Sequence, residues 1–171
     1  MKRLLVFSLM VFLFFGIADA KKKSDGLSVS ASMSVYDPPG DAGSTLLFEV
    51  AARYKLSNKL TSELSVGWTT YESGGENVKY MPIQLNLEYH PLGQSLFDPY
   101  TGGGVSANLQ QIGETTTATA GVQAFAGISF KPTSTFSFSA EVKYILTDIT
   151  DASSGGFSFG GGVEGDLEMN L

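Results

Sequence analysis

The sequence has no cysteine, which excludes disulfide bonds and a lipid attached through a cysteine at a secretion-signal cleavage site. Charged residues make up only 16% of it, below the roughly 25% found in typical soluble domains. Basic residues are the minority, 11 against 17 acidic residues, which argues against a nucleic-acid partner. No nucleotide-binding, zinc or thiol motif occurs, so we expect no cofactor and no metal.

The first residues are typical of a secretion signal. Lys2 and Arg3 carry positive charge, residues 4–17 are apolar, and Ala18-Asp19-Ala20 has the small-residue pattern of a cleavage site. The apolar run is too short to cross a membrane comfortably as a helix. We therefore expect residues 1–20 to be a signal peptide that directs export through the Sec pathway, and residues 21–171 to form one mature domain.

The mature sequence alternates between apolar and polar residues. In a β-strand, successive side chains point to opposite faces, so alternation predicts strands with one apolar and one polar face. The clearest case is residues 157–171, where Phe157, Phe159 and Val163 alternate with polar, acidic or glycine positions. Eight segments follow this pattern, at residues 27–36, 45–56, 60–71, 79–90, 99–110, 118–130, 135–148 and 157–171.

Strand length and number favour a membrane barrel. About twelve residues tilted by around 40° rise roughly 30 Å, enough to cross a bilayer, whereas soluble strands more often have about five or six residues. Eight is an even number, as bacterial single-chain barrels require. The prediction is an all-β, eight-stranded, antiparallel, up-and-down transmembrane β-barrel in a bacterial outer membrane. Both termini would be periplasmic, with longer connections after strands 1, 3, 5 and 7.

The alternation does not by itself say whether the apolar face points outward or inward. Large aromatic residues on the apolar face lie near strand ends, as in the girdles of membrane barrels. Two girdles are expected, a lower one of Tyr54, Tyr89, Phe130 and Phe136 and an upper one of Phe48, Trp68, Phe157 and Phe159. The alternative is a soluble periplasmic lipocalin-like barrel, in which the same face lines a cavity.

Charges of both signs lie on the polar face, where a narrow lumen would bring them together. The ten residues are Glu49, Arg53, Lys55, Glu63, Glu88, Glu141, Lys143, Glu164, Asp166 and Glu168. If the short turn after strand 2 sets the register, Arg53 lies opposite Glu63. Lys143 can reach Glu164 or Glu141. Because an eight-stranded barrel has room for little beyond its side chains, we expect a plugged lower lumen and no open pore.

The upper lumen has a different composition. Its inward residues are large and mostly apolar: Tyr36, Leu47, Tyr71, Tyr80, Phe125 and Ile145. These rings either fill space in the upper barrel or form a pocket for a small hydrophobic molecule. The single histidine, His90, falls at the opposite end beside Pro91, where we expect a girdle or turn residue.

Two segments resemble a known family. Residues 81–90 read Met-Pro-Ile-Gln-Leu-Asn-Leu-Glu-Tyr-His, and residues 98–105 read Asp-Pro-Tyr-Thr-Gly-Gly-Gly-Val. This pair resembles the OmpW-like and OmpX-like small outer-membrane barrels, which implies an eight-stranded barrel. The OmpW-like branch implies passage of small hydrophobic compounds. The OmpX-like branch implies surface interaction and support of envelope integrity without a small ligand.

The predicted outer-membrane location indicates which partners the protein has. Outer-membrane lipid and lipopolysaccharide would surround the barrel, and the barrel-assembly machinery would recognise the C-terminal strand. The chain ends in Leu171, where such barrels usually end in an aromatic residue. Barrels that act on lipid A place a histidine near the outer leaflet, which this sequence lacks, so we expect a protein that is not an enzyme.

Overall fold

The computed structural model describes residues 26–93 and 95–166, which form a closed barrel of eight antiparallel strands. The strands are β1 (Leu27–Asp37), β2 (Thr45–Lys55), β3 (Leu60–Ser73), β4 (Glu76–Tyr89), β5 (Phe97–Ile112), β6 (Thr115–Phe130), β7 (Phe136–Leu146) and β8 (Gly155–Asp166). Each strand pairs with the next along the chain, and β8 closes the barrel on β1. The predicted fold class is confirmed. The expected signal peptide, Glu168 and the end of the C-terminal strand lie outside the described residues.

The apolar face of the strands points outward. Val50 and Trp68, on neighbouring strands, are 46% and 49% exposed, whereas inward residues such as Leu47 and Gln84 are fully buried. The lipocalin-like alternative, in which the apolar face lines a cavity, is therefore wrong. Within the described part of the chain, no helix is long and apolar enough to cross a bilayer.

Aromatic residues mark both ends of the outer surface. At the end where β1 begins and β8 finishes, here the terminal end, Phe97 and Phe130 stack with ring centroids 4.9 Å apart. At the opposite end, here the loop end, Phe48 stacks on Trp68 at 6.0 Å. These rings cover the barrel at two heights, an arrangement that suits two membrane interfaces.

Two connections at the loop end are shorter than predicted. The sequence predicts loops at residues 72–78 and 111–117, but β3–β4 and β5–β6 are joined by only residues 74–75 and 113–114. Gly74, Gly75 and Gly113 adopt positive φ angles of 61°, 82° and 56°. Glycine reaches this region without steric cost, so the strands continue directly into tight hairpins. As a result β5 and β6 have 16 residues each, whereas β1 has 11.

The connection between β7 and β8 contains a short 3₁₀ turn, Ala152–Ser154, which Asp151 caps. The Ser153 hydroxyl and the Ser153 backbone N–H both donate to Asp151 Oδ1, at 2.6 and 2.9 Å. These hydrogen bonds lower the pKa of the Asp151 carboxyl. These local bonds give the longer connection a defined shape. Two further bonds attach it to the barrel, because the buried Thr147 hydroxyl donates to the Ser154 carbonyl at 3.0 Å and the Ile149 N–H donates to the Ala120 carbonyl on β6 at 2.9 Å.

The glycine-rich strand β5 pairs with β4 without a slip in register, from Val78–Ile112 to Tyr89–Thr101. Val105 therefore faces outward, as predicted. The ladder between β3 and β4 is instead interrupted between the pairs Val66–Ile83 and Thr69–Tyr80. Pro82 lies in this interval and has no N–H to donate, which accounts for the local loss of pairing.

Candidate functional site in the barrel lumen

The terminal end of the lumen is filled by a group of charges around Arg53, here called the Arg53 cluster. Its guanidinium donates to Glu88 through Nη2 and to Glu164 through Nη1, and its Nε lies 3.5 Å from Glu63 Oε2. The register places Arg53 directly opposite Glu63, as predicted. One cation thus holds carboxylates from β3, β4 and β8, which ties opposite walls of the barrel together.

His90 extends the Arg53 cluster towards the terminal end. Its Nδ1 lies 2.9 Å from Asp98 Oδ2 and its Nε2 lies 3.3 Å from Glu88 Oε2. Lys131 Nζ approaches the same Asp98 oxygen at 3.6 Å. His90 opens the turn after β4, as expected, because its carbonyl accepts from the Gly93 N–H at 3.1 Å. Its side chain is not at a girdle but buried in the lumen, because the inward alternation of β4 continues through Glu88 to His90. That alternation was the signal in the sequence that could have placed His90 in the lumen.

A second charged group, the Lys143 cluster, lies nearer the middle of the barrel. Lys143 Nζ is 3.3 Å from both Glu49 carboxylate oxygens, 3.5 Å from Glu141 Oε1 and 3.2 Å from Gln84 Oε1. The sequence allowed Glu164 or Glu141 as partners of Lys143, and the structure selects Glu141 because Arg53 holds Glu164. Glu49 on the far wall was not expected as a partner.

Two aromatic residues contact the charged clusters. The Arg53 guanidinium lies 6.0 Å from the centroid of the Tyr100 ring, and Lys143 Nζ lies 5.8 Å from that of Phe125. The Tyr100 hydroxyl donates to Glu141 Oε2 at 3.1 Å. Tyr100, which sequence reasoning missed, therefore contacts both clusters, and cation–π contacts contribute to their stability.

Polar side chains complete the lumen wall. Asn86 donates to Glu63 Oε1 at 2.9 Å, and Gln123 donates to Asn86 Oδ1 at 2.5 Å. Between the clusters, a cavity of about 50 Å³ is lined by charged residues and by serines including Ser34 and Ser65. This volume suits a few water molecules and not an organic ligand.

The loop end of the lumen is closed by an apolar group, here called the aromatic cap. It consists of Tyr36, Leu47, Tyr71, Val78, Tyr80 and Ile145. Tyr36 stacks on Tyr80 at 5.6 Å and meets Tyr71 edge to face at 6.3 Å. Every member is at most 8% exposed. The cap therefore fills the loop end of the lumen with side chains that are almost inaccessible to solvent.

Five of the six residues predicted for the upper lumen belong to the aromatic cap. Phe125 is not among them, because it lies beside Tyr100 and Lys143. Val78 belongs to the cap and was assigned to a loop in the sequence, although it continues the inward alternation of β4. Tyr80 also reaches beyond the cap, since its hydroxyl donates to Asn108 Oδ1 at 2.9 Å.

Two other predicted lumen charges, Lys55 and Asp166, lie at the terminal rim. Lys55 is half-buried opposite Thr61, and Asp166 is exposed opposite Ser28 at the last described position of β8. Glu168 falls outside the described residues. Lys55 and Asp166 lie on the inward side of their strands.

Among solved structures, the Neisserial surface protein A matches with a TM-score of 0.74 and 18% sequence identity, over 83% of this chain and 97% of that one. This chain has the fold of the small eight-stranded outer-membrane β-barrels. The N-terminal barrel domain of OprF and the protein OprG, both from Pseudomonas aeruginosa, each match this barrel with a TM-score of 0.58. The barrel domain of OprF is 17% identical to this chain and OprG is 15% identical. The two matches cover 82% and 83% of this chain, respectively, and 97% of each matched chain. No protein-family profile and no curated protein sequence matches the barrel.

Proposed function

We propose that this protein is an integral outer-membrane barrel with a closed lumen, which acts as a structural element of the envelope and not as a channel. The fold and the outward apolar face support the membrane location. The observation that carries the proposal is the filling of the lumen by the Arg53 cluster, the Lys143 cluster and the aromatic cap. A conducting path would have to separate buried ion pairs and displace packed rings, and both steps are costly.

The first experiment measures folding and conductance of the same sample. The mature protein, residues 21–171, is refolded in detergent and run on a gel with and without boiling. We expect a heat-dependent mobility shift, insolubility when detergent is withheld, and no conductance above background in planar bilayers. An open porin in the same bilayers is the positive control. Steady conductance from folded protein would overturn the closed lumen, and a soluble monomer without detergent would overturn the membrane location.

A second candidate function is binding of a small hydrophobic molecule at the loop end. The observation that favours it is the aromatic cap itself, in which Tyr36, Tyr71 and Tyr80 meet within one apolar group. Binding would require these rings to separate. Tyr71→Ala and Tyr80→Ala should then weaken binding of an apolar fluorescent probe, whereas Tyr89→Ala, on the outer surface, should not. Unchanged probe binding in both cap variants would exclude this function.

The topology that accompanies the proposal places both termini in the periplasm. Removal of residues 1–20 during Sec export and recognition of the C-terminal strand by the barrel-assembly machinery would lead to this arrangement. A protease-cleavable tag inserted in residues 38–44 should be cut on intact cells, and the same tag after residue 171 should be protected. The opposite pattern would reverse the topology.

We also propose that the lumen has no catalytic role. The ring nitrogens of His90 face Asp98 and Glu88, at the end of the barrel remote from the loop end. An imidazole enclosed by two carboxylates is not positioned to take a proton from a serine hydroxyl. Incubation of the folded protein with lipid A should leave the lipid unchanged by mass, and a changed acyl pattern that His90→Gln abolishes would overturn this point.

A further inference from the structure

A groove runs along the outer surface near the loop end, across strands β2 to β6. Its volume is about 540 Å³. It covers part of the interval in which the β3–β4 ladder is interrupted, because Trp68 and Met81 lie in that interval and line the groove. We call it the outer groove and define it by six residues, with Phe48, Trp68 and Met81 as its floor and Thr70, Lys79 and Gln111 as its rim.

The strand register separates the outer groove into two levels. Phe48 pairs with Trp68, and Met81 follows at the same height on β4. One step nearer the loop end, Lys79 lies between Thr70 on β3 and Gln111 on β5. An apolar level therefore lies directly beneath a polar level that carries a positive charge. A membrane lipid has the same order of groups, with apolar acyl chains directly beneath a polar headgroup.

Lys79 is distinctive because of its position. Of the residues that the structure describes, it is the only lysine or arginine on the outer face in the loop-end half of the barrel. None of the ion pairs between described residues involves it. Its nearest acid on the same face is Glu72, one register step further towards the loop end. Lys79 is therefore available to an anion that does not belong to the described part of the chain.

We propose that the outer groove binds a phosphorylated, multiply acylated glycolipid of the lipid A class, with its phosphate on Lys79. The inference rests on the proposed membrane location, since it requires the loop end to lie in the outer leaflet. Acyl chains contact Phe48, Trp68 and Met81. The Gln111 Nε2 donates to the Gly113 carbonyl at 3.1 Å, which leaves its second N–H and its Oε1 for other partners. These atoms and the Thr70 hydroxyl lie on the rim of the groove, where they can hydrogen-bond the sugar.

Charge and shape favour this glycolipid over a zwitterionic phospholipid. In lipid A the phosphates are joined directly to sugars that carry the acyl chains, so negative charge and apolar chains lie close together, as Lys79 and Trp68 do. A phosphatidylethanolamine headgroup would bring an ammonium group next to Lys79. The acidic loop-end residues, which include Asp37, Glu72 and Glu114, leave Lys79 as the point where a phosphate is attracted directly.

The chain provides its own probe for this site. Trp68 is the only tryptophan in the sequence, and it lies on the floor of the outer groove. Mature protein, refolded in non-ionic detergent and shown to be folded by its heat-dependent gel shift, is titrated with diphosphorylated lipid A in mixed micelles. We expect a saturable change in tryptophan emission. Native mass spectrometry should show one retained lipid per barrel.

Two charge variants and a matched control test the role of Lys79. Lys79→Gln should weaken binding roughly five- to tenfold, the effect of losing one charge contact to a phosphate. Glu72→Gln, which removes the neighbouring acid, should strengthen it. Lys59→Gln, which removes an exposed lysine at the terminal end, should leave binding unchanged. All three positions are exposed, so we expect each variant to fold.

Four outcomes would overturn the inference. Emission that changes without saturation would indicate general partitioning into micelles. Equal binding by Lys79→Gln and wild type would remove the proposed contact. Equal binding of phosphatidylglycerol would show that any anionic lipid suffices. Binding that a chelator abolishes while Lys79→Gln retains it would assign the lipid to a divalent ion on the acidic loops. A protein that is soluble without detergent instead overturns the proposed membrane function, so the two failures are distinguishable.

Discussion

At the residue scale, the two charged clusters of the lumen each contain more carboxylates than cations. Arg53 faces three carboxylates, and Lys143 faces two. A buried ion pair contributes little to stability compared with a well-packed apolar pair, but removal of one partner leaves an uncompensated charge. Arg53 and Lys143 are therefore the positions at which a single substitution should have the largest electrostatic effect.

Substitution of Arg53 should be strongly destabilising. Arg53→Met leaves Glu63, Glu88 and Glu164 close together without their cation, and we expect a loss of about 3–5 kcal/mol in the free energy of unfolding. The measurement is urea unfolding of the folded protein in detergent, followed by the gel shift. Lys59→Met, in the exposed β2–β3 turn, should change it by less than about 0.5 kcal/mol. Equal midpoints for both variants would show that the Arg53 cluster is not a structural element.

Gly104 permits the close approach of β4 and β5. A Cβ atom added there would collide with the Leu85 carbonyl oxygen and lie 2.9 Å from Asn86 Cα. We expect Gly104→Ala to destabilise the barrel by about 1–3 kcal/mol, because backbone must shift to accept it. Gly43→Ala is the matched control, since nothing lies within 4 Å of its added Cβ. Similar unfolding midpoints for the two variants would contradict this account.

At the element scale, the hairpins make β3 to β6 the tallest part of the wall. The β5–β6 hairpin turns at Gly113 and pairs continuously from Ile112–Thr115 down to Phe97–Phe130. The sequence prediction of a loop at residues 111–117 counted polar residues as loop residues. Threonines at 115–117 are good strand residues, however, and one glycine with positive φ is sufficient for the turn.

The hairpin should depend on the conformation of Gly113 and not on its lack of bulk. Its φ of 56° lies in the left-handed region, and no atom lies within 4 Å of an added Cβ. Gly113→Val should cost about 1–2 kcal/mol through backbone strain, while Gly113→Asn, which tolerates this region, should cost much less. Urea unfolding distinguishes them. Equal stability of the two variants would show that the turn adopts another conformation.

At the scale of the whole molecule, polarity is inverted relative to a soluble barrel. Charges and amides fill the interior, and Val, Leu and aromatic side chains cover the outside. This arrangement is stable where hydrocarbon, and not water, surrounds the barrel, because the closed ladder leaves no strand edge unpaired. The aromatic rings at both ends set the limits of that apolar belt.

A charge placed in the middle of the belt should therefore be costly in a bilayer. Val50, on β2, lies between the rings of Phe48 and Tyr54, and Val50→Arg should lose about 2–4 kcal/mol of stability. Leu56→Arg, just beyond the terminal end of the same strand, should lose about 0–1 kcal/mol. Reversible unfolding from lipid vesicles gives both values. If the two variants lose equal stability, the belt does not face lipid.

The number of strands, their alternation and the register between β2 and β3 follow from the sequence alone. These properties depend on a side-chain period of two and on a short turn, both of which are local. The sequence also identified five of the six residues of the aromatic cap, because each follows the inward alternation of its own strand. It could not determine hairpin lengths, since polar residues suit strands and loops alike.

Closure of the barrel decides which inward side chains meet when their strands are far apart in the sequence. Arg53 and Glu164 are 111 residues apart in sequence, and Ser28 and Glu164, which hydrogen-bond at 2.5 Å, are 136 apart. Closure of β8 on β1 brings them together, and closure depends on the stagger of all eight strands at once. The two levels of the outer groove likewise depend on the stagger of β2 to β5. His90 is different, because it meets Asp98, eight residues away, through the pairing of β4 with β5 alone. Periodicity assigns a residue to a face of its strand, and the closed barrel alone assigns its neighbours across the lumen.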